Sequence, residues 1–409
     1  MLGTLLSQAI LIGSMPLLTR MYNVGQFGEL SFFMLVGLFG VQLFCWRYEY
    51  GIAAARTELD AARLVGACMI IGLLSAVIFA VLLLLLAPVF ETTNKFNTIH
   101  YLYWFIIYAF SYATWNAFTY FNIRTGRFRM NAVCNVARSV LTVALSVILL
   151  RLPQFNGMIV GLSLGQLLAF LLLAYFTIRK ISQPFFSKNV FLPRNIFQTL
   201  QQGKKLLLYS LPSAVIELLS GQLPQLFIGS FGKQVFGWFG QANRLMNAPL
   251  DLVGQSVRAV FWETAGNAYR ETGNCVPVFN KTLRSLFFLS IVPFAIFFFL
   301  APWLFATILG SDWHRAGEYA RLLLPLCFFR FISSPLSSLF YIAHKQSYDL
   351  LVQAATLLAV GVVFFSHVIM VASPETAIIW YSIIYSLKYL TELLLSRKFA
   401  AGTAAPLIH

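Results

Sequence analysis

Acidic residues are scarce in this chain: 14 Asp and Glu stand against 29 Lys and Arg in 409 residues, and charged residues of both signs make up only 11%. So little charge excludes a soluble fold of this length, which normally carries about 25%. Cysteines are few and odd in number: Cys45, Cys68, Cys134, Cys275 and Cys327. They lack the paired spacing of a metal site and read as small apolar fillers, so neither a disulfide framework nor a bound metal is expected. The apolar runs show no ten-residue alternation, which excludes a membrane β-barrel.

Hydrophobic residues account for 59% of the chain and the mean hydropathy is +0.76. The fold class is therefore an all-α polytopic membrane protein. A hydrocarbon core of about 30 Å takes about 20 apolar residues per helix, because each backbone N–H and C=O must be satisfied within the segment. Twelve spans can be read. The first six run Leu2–Leu18, Phe27–Trp46, Leu64–Phe90, Tyr101–Phe121, Ala132–Leu150 and Gly157–Ile178. The second six run Lys205–Phe231, Phe236–Trp262, Leu283–Leu309, Tyr319–Ala343, Leu350–Val371 and Thr376–Leu395.

Cytoplasmic loops retain Lys and Arg, and most basic residues fall in the even-numbered loops and the tail, so both termini are expected in the cytoplasm. The net charge of +15 reflects that bias and attraction to anionic lipid headgroups, not nucleic-acid binding. The long basic linker "RKISQPFFSKNVFLPRNIFQTLQQGKK" divides the chain into a six-helix lobe (residues 1–180), a cytoplasmic linker (181–204), a second lobe (205–397) and a tail (398–409). Weak internal similarity, "LLAPVF" at Leu85 against "FLAPWLF" at Phe299, supports a duplicated six-helix unit, a common transporter plan.

Span eight raises a chemical question. "NRLMNAPLDLVGQSVR" carries Arg244, Asp251 and Arg258 at seven-residue intervals. At 100° per residue these three, with Asn247 and Gln255, fall within about 80° of one another, opposite an apolar face. Charge at membrane depth is costly unless it pairs or meets water, so it marks a bundle interior or a wet cavity. Similar stripes recur: Asn131, Asn135, Arg138 and Thr142 in span five; Glu217 between Pro212 and Pro224 in span seven; Arg330, Ser334, Ser337 and Tyr341 in span ten; Tyr381, Tyr385, Lys388 and Glu392 in span twelve. Bland readings exist for each. Arg258 can snorkel, Lys388 and Glu392 can neutralise one another, and Arg244 can form a structural pair with Asp251. Arg47 and Glu49 read as interface anchors, and His314 and His344 as solvated residues.

The interior cations Arg138, Arg244, Arg258, Arg330 and Lys388 outnumber the anions Glu217, Asp251 and Glu392. A cationic cavity suits an anionic substrate, and arginine forks match phosphate oxygens. Asn135, Asn247 and Gln255 complete the predicted substrate lining. Glu217 and Asp251 are the carboxylates suited to a coupling proton or sodium ion, the one ligand expected besides the substrate.

"PLLTRMYNVGQFGELSFF" at Pro16, "QLPQLFIGSFGKQVFGWFGQANRLMNAPLDLVGQSV" at Gln222 and "LGSDWHRAGEYARLLLPLCFFRFISSPLSSLFYIAHKQ" at Leu309 resemble bacterial polysaccharide-biosynthesis proteins, the Wzx-type O-antigen and exopolysaccharide flippases. The resemblance covers nearly the whole chain, and its most characteristic piece is Gly310, Trp313, Ala316 and Gly317. It implies the multidrug/oligosaccharidyl-lipid/polysaccharide exporter fold, with two six-helix lobes around a central cationic cleft. The implied activity is translocation of an undecaprenyl-diphosphate-linked oligosaccharide across the inner membrane, without chemistry on the substrate. Other polysaccharide-assembly membrane proteins are the implied partners. Relatives usually have additional residues before the first span. An ion-coupled exporter of another solute is the alternative; a glycan polymerase or ligase would need reactive groups and a large outer loop, which the chain lacks.

Overall fold

The computed structural model describes residues 2–55, 57–94, 101–151, 155–180, 211–343, 345–365 and 373–402. Among these, every regular element is helical, as a backbone in hydrocarbon requires. The first half contains α1 (Leu2–Gly13), α2 (Met15–Met21), α3 (Val24–Leu43), α4 (Glu49–Ala54), α5 (Glu58–Asn94), α6 (Leu102–Arg124), α7 (Phe128–Ile148) and α8 (Gly157–Lys180). The second contains α9 (Leu211–Ser230), α10 (Lys233–Thr272), α11 (Val276–Leu309), α12 (His314–Leu336), α13 (Leu339–Ile342), α14 (Gln346–Phe365) and α15 (Pro374–Ala400). The predicted linker 181–204, the first residues of predicted span seven and His344 lie outside the described residues.

Eight described stretches are long and apolar enough to cross a membrane by length and composition. The described parts of the other four predicted spans are helical too. The first is broken at Ser14, with Pro16 entering the first turn of α2, and α6, α9 and α10 mix polar residues among their apolar ones. With 40 residues, α10 runs about 60 Å, twice the hydrocarbon thickness.

The chain divides into two compact units: unit 1 is Met1–Leu218 with Gly232–Phe236, and unit 2 is Leu219–Phe231 with Gly237–His409. The division passes through α9.

In unit 1, α8 lies close against α7 because Gly157, Gly161 and Gly165 repeat every fourth residue along one face. A Cβ on Gly161 would stand 2.6 Å from the Ser146 backbone nitrogen, and one on Gly165 2.7 Å from Thr142 Oγ1. Small residues at this spacing let membrane helices approach where no hydrophobic effect draws them together. A hydrophobic core joins Phe44, Cys45, Tyr48 and Ile52 to Cys68 of α5, Phe118 and Phe121 of α6 and Phe170 of α8.

Glu29 at the start of α3 gathers three donors. Lys233 Nζ lies 2.7 Å from Oε1, while Tyr101 Oη (2.9 Å) and Asn156 Nδ2 (3.3 Å) donate to Oε2. Bonds to an ionised group are worth about 1.5–3 kcal/mol each, and leaving buried donors unpaired adds to the cost. Glu29→Ala is expected to destabilise unit 1 by about 2–3 kcal/mol, and Glu29→Gln, which keeps an acceptor for Tyr101, by less. Thermal denaturation of the detergent-solubilised protein checks this order; equal melting of both variants and wild type would refute it.

In unit 2 the motif Gly310, Trp313, Ala316 and Gly317 shapes the hairpin of α11 and α12. Gly310 ends α11 at φ 115°, a left-handed conformation that glycine tolerates. Trp313 and Ala316 are fully buried, and a Cβ on Gly317 would run into the Ala301–Pro302 backbone of α11. The motif is thus a helix-packing device.

Candidate functional site

Unit 2 assembles a charged polar face from α10, α12 and α15. Arg330, in the last third of α12, reaches α10 with both ends of its fork: Nη1 donates to Asn247 Oδ1 at 2.5 Å and Nη2 to Asp251 Oδ1 at 2.6 Å. Asn247 and Asp251 are four apart, so one helical turn presents an amide and a carboxylate in the same direction. Asn247 is itself held by its Nδ2, which donates to Asn243 Oδ1 and to the Asn243 carbonyl. The Arg330 side chain is 28% exposed and that of Asp251 48%, so the pair borders solvent-accessible space rather than a sealed core.

Arg258, two turns beyond Asp251, donates through Nη2 to Ser334 Oγ at 2.5 Å and to the Ser334 carbonyl at 3.1 Å. Its hydrogen-bond partner is neutral, while the Glu392 carboxylate of α15 is near enough to feel its charge. Gln255 is exposed between them. On α15, Lys388 lies 3.6 Å from Glu392, with side-chain exposures of 17% and 8%. Its ammonium also lies over the rings of Tyr385 (5.6 Å) and Tyr389 (5.2 Å). Tyr381 and Tyr385 meet with tilted rings 4.8 Å between centres, and the Tyr385 hydroxyl donates to the Ser220 carbonyl of α9.

In unit 1, Arg138 of α7 sits over two aromatic faces of α6, its guanidinium 5.6 Å from the ring centres of both Tyr112 and Trp115. Ring quadrupoles stabilise this cation, and among the described residues no carboxylate pairs with it. Asn135, one turn before it, is half-buried and contributes its carbonyl to the Ser139 hydroxyl. Asn131, predicted in the same stripe, bonds elsewhere: its Oδ1 accepts from Asn122, which also bonds Thr177 of α8, and its Nδ2 donates to the Thr119 carbonyl. It joins helices.

The structure corrects several sequence readings. Asp251 takes a partner from another helix, the Arg330 fork arriving from α12. The stripe predicted along span ten ends at Ser334, because α12 stops at Leu336 and Ser337 turns back to bond the Ser334 carbonyl. Tyr341 is carried away from the face and meets Asp349. Glu49 is 5% exposed rather than displayed at an interface. His314, read as solvated, is exposed near Glu318 at the start of α12. Glu217 lies on α9, with its side chain outside the described residues. The aromatic seat of Arg138 was missed by sequence reading, although Tyr112 and Trp115 are three apart on one predicted helix.

All five cysteines are free and buried, and the described residues contain no group of metal-binding side chains. The arrangement is a set of fixed cations and amides with no activated nucleophile.

In overall architecture the chain is similar to the lipid II flippase MurJ in an inward closed conformation, with a TM-score of 0.74 and 13% identity over 97% of this chain and 87% of that one. It is similar also to an inward-facing multidrug resistance MATE family transporter of the MOP superfamily, with a TM-score of 0.71 and 16% identity over 96% and 94%. An outward-facing MATE family transporter aligns with a TM-score of 0.52 and 15% identity over 96% and 97%. These likenesses show a transporter fold. No curated protein matches the chain. A family model described as polysaccharide biosynthesis protein matches residues 17–318, and the chain belongs to that family.

Proposed function

We propose that the protein moves polyprenyl-diphosphate-linked oligosaccharide repeat units from the cytoplasmic to the periplasmic leaflet of a bacterial inner membrane by alternating access, serving O-antigen, capsule or exopolysaccharide assembly. Both termini are assigned to the cytoplasm, the lobes to residues 1–180 and 205–397, and other polysaccharide-assembly membrane proteins are the expected neighbours. The observation that carries this reading is the pair of cations met by neutral groups: Arg258 on Ser334 and Arg138 on two aromatic rings. Neither guanidinium is hydrogen-bonded to a carboxylate among the described residues, and guanidinium forks suit a diphosphate. Family membership supplies the polysaccharide context.

Arg330 adds a means of coupling. Its fork is occupied by Asn247 and Asp251, and a proton or sodium ion on Asp251 would weaken that hold and turn Arg330 toward phosphate. Glu217 is the second carboxylate assigned to the coupling ion. The likeness to a MATE family transporter gives the second reading, ion-coupled export of another solute.

Deletion of the gene, followed by mass spectrometry of lipid-linked glycans sorted by leaflet, tests the proposal. Complete diphosphate-linked units are expected to build up on the cytoplasmic side. Truncated glycans would instead indicate an enzyme, and an unchanged profile the exporter.

A further inference from the structure

Unit 1 contains a second polar site, where the chain turns from α3 into α4. Trp46 (φ 50°) and Arg47 (φ 65°) are consecutive non-glycine residues in the left-handed region. Side chains there are sterically disfavoured, and such strain collects at ligand clamps. The turn aims Arg47 and Glu49 into a pocket of about 290 Å³ lined also by Val41, Gln42, Tyr50 and Asn116. Glu49 is 5% exposed, and its Oε2 is buried without a hydrogen-bond partner, as is Arg47 Nε. The rest of Arg47 is anchored: Nη1 donates to Tyr50 Oη at 2.7 Å, and the Tyr50 ring leans on Tyr120 of α6.

We propose that this pocket binds one neutral, hydroxyl-rich pyranose ring of the transported glycan. The inference rests on the reading that the protein carries saccharide-bearing lipids. Sugar hydroxyls donate and accept at once, and the lining supplies both functions: the amides of Gln42 and Asn116 carry an acceptor and two donors each, Arg47 only donates, and Glu49 accepts. Burial pushes the Glu49 carboxyl up to about 7, with Arg47 drawing it the other way, so near neutral pH it serves as acceptor or donor. A metal ion would find a single carboxylate beside a guanidinium. A simple anion would face Glu49, and an acyl chain would strand five polar groups. The space is roughly twenty times the ~10–15 Å³ that one water needs and sits at the small end of ligand sites, about 300 Å³.

Photo-crosslinking tests the assignment. Gln42 is replaced by a benzophenone amino acid in cells carrying the otherwise complete protein, and the same probe at Leu387, an exposed apolar position of α15, serves as control. Irradiation is expected to give a glycan-bearing adduct at position 42, seen by mass spectrometry, and none at 387. Asn116→Ala is expected to lower the adduct yield roughly tenfold, equivalent to about 1.4 kcal/mol. No adduct, or one of phospholipid alone, overturns the proposal; if the Gln42 variant fails to accumulate, the probe at Val41 decides by the same criteria. Build-up of cytoplasmic glycan on gene deletion with no glycan captured here sinks the pocket and leaves the flippase reading standing. An unchanged deletion profile sinks the flippase reading itself.

Discussion

Replacing Gly161 with leucine is expected to abolish accumulation of the protein in the membrane. The new Cβ alone would stand 2.6 Å from both the backbone nitrogen and the hydroxyl of Ser146, and backbone cannot rotate aside as a side chain can. Overpacking a tight contact costs about 1–3 kcal/mol, occasionally more, so Gly161→Ala should already lower the amount of protein. Leucine adds three further carbons and forces α8 off α7. That would also carry Gly157 and Gly165 out of contact and disturb Tyr22, whose hydroxyl bonds the Ser146 carbonyl at 2.5 Å. Gly361 in α14 has open space around it, and Gly361→Ala should accumulate normally. Immunoblots of membrane fractions compare the three variants. Wild-type amounts of Gly161→Leu would show that α7 and α8 do not pack as closely as described.

The helical fold was legible because membrane burial leaves a direct compositional trace: among the described residues each predicted span has a helical counterpart, although α10 runs ten residues past the predicted end of span eight. The local failures have physical causes. Ser14 and Pro16 break the first span, which an apolar count cannot sense. Position 337 ends α12 although the polar stripe continues in sequence, because helical periodicity says nothing about where a helix stops. On the charged face, the sequence placed Arg244, Asp251 and Arg258 on one side of α10, but the partner of Asp251 depends on which helix packs there. Arg330 came from 79 residues away, a distance that no local pattern encodes. Glu49 was harder still, because a carboxylate beside Tyr48 and Tyr50 near a helix end looks like an interface anchor until the turn at Trp46 and Arg47 folds it inward.

Arg330→Gln is expected to reduce delivery of surface polysaccharide by about tenfold to a hundredfold while the protein still reaches the membrane. Glutamine can keep one of the two bonds and loses the other, worth about 1.5–3 kcal/mol, and 1.4 kcal/mol corresponds to a factor of ten. That loss need not unfold unit 2, because Asp251 is 48% exposed and water can take over its solvation. Asn247, tied to Asn243, keeps its place. Arg330→Lys preserves the charge but cannot span an amide and a carboxylate at once, so it should recover only part of the activity. Asp251→Asn separates the two roles assigned to this pair. If Asp251 only positions Arg330, the asparagine variant keeps a neutral acceptor and most of the transport. If Asp251 exchanges the coupling ion, transport falls as far as in Arg330→Gln, and its dependence on the proton or sodium gradient disappears. Surface polysaccharide measured with each gradient collapsed in turn distinguishes these cases. Wild-type delivery by all three variants would remove the charged face of α10 and α12 from the transport mechanism.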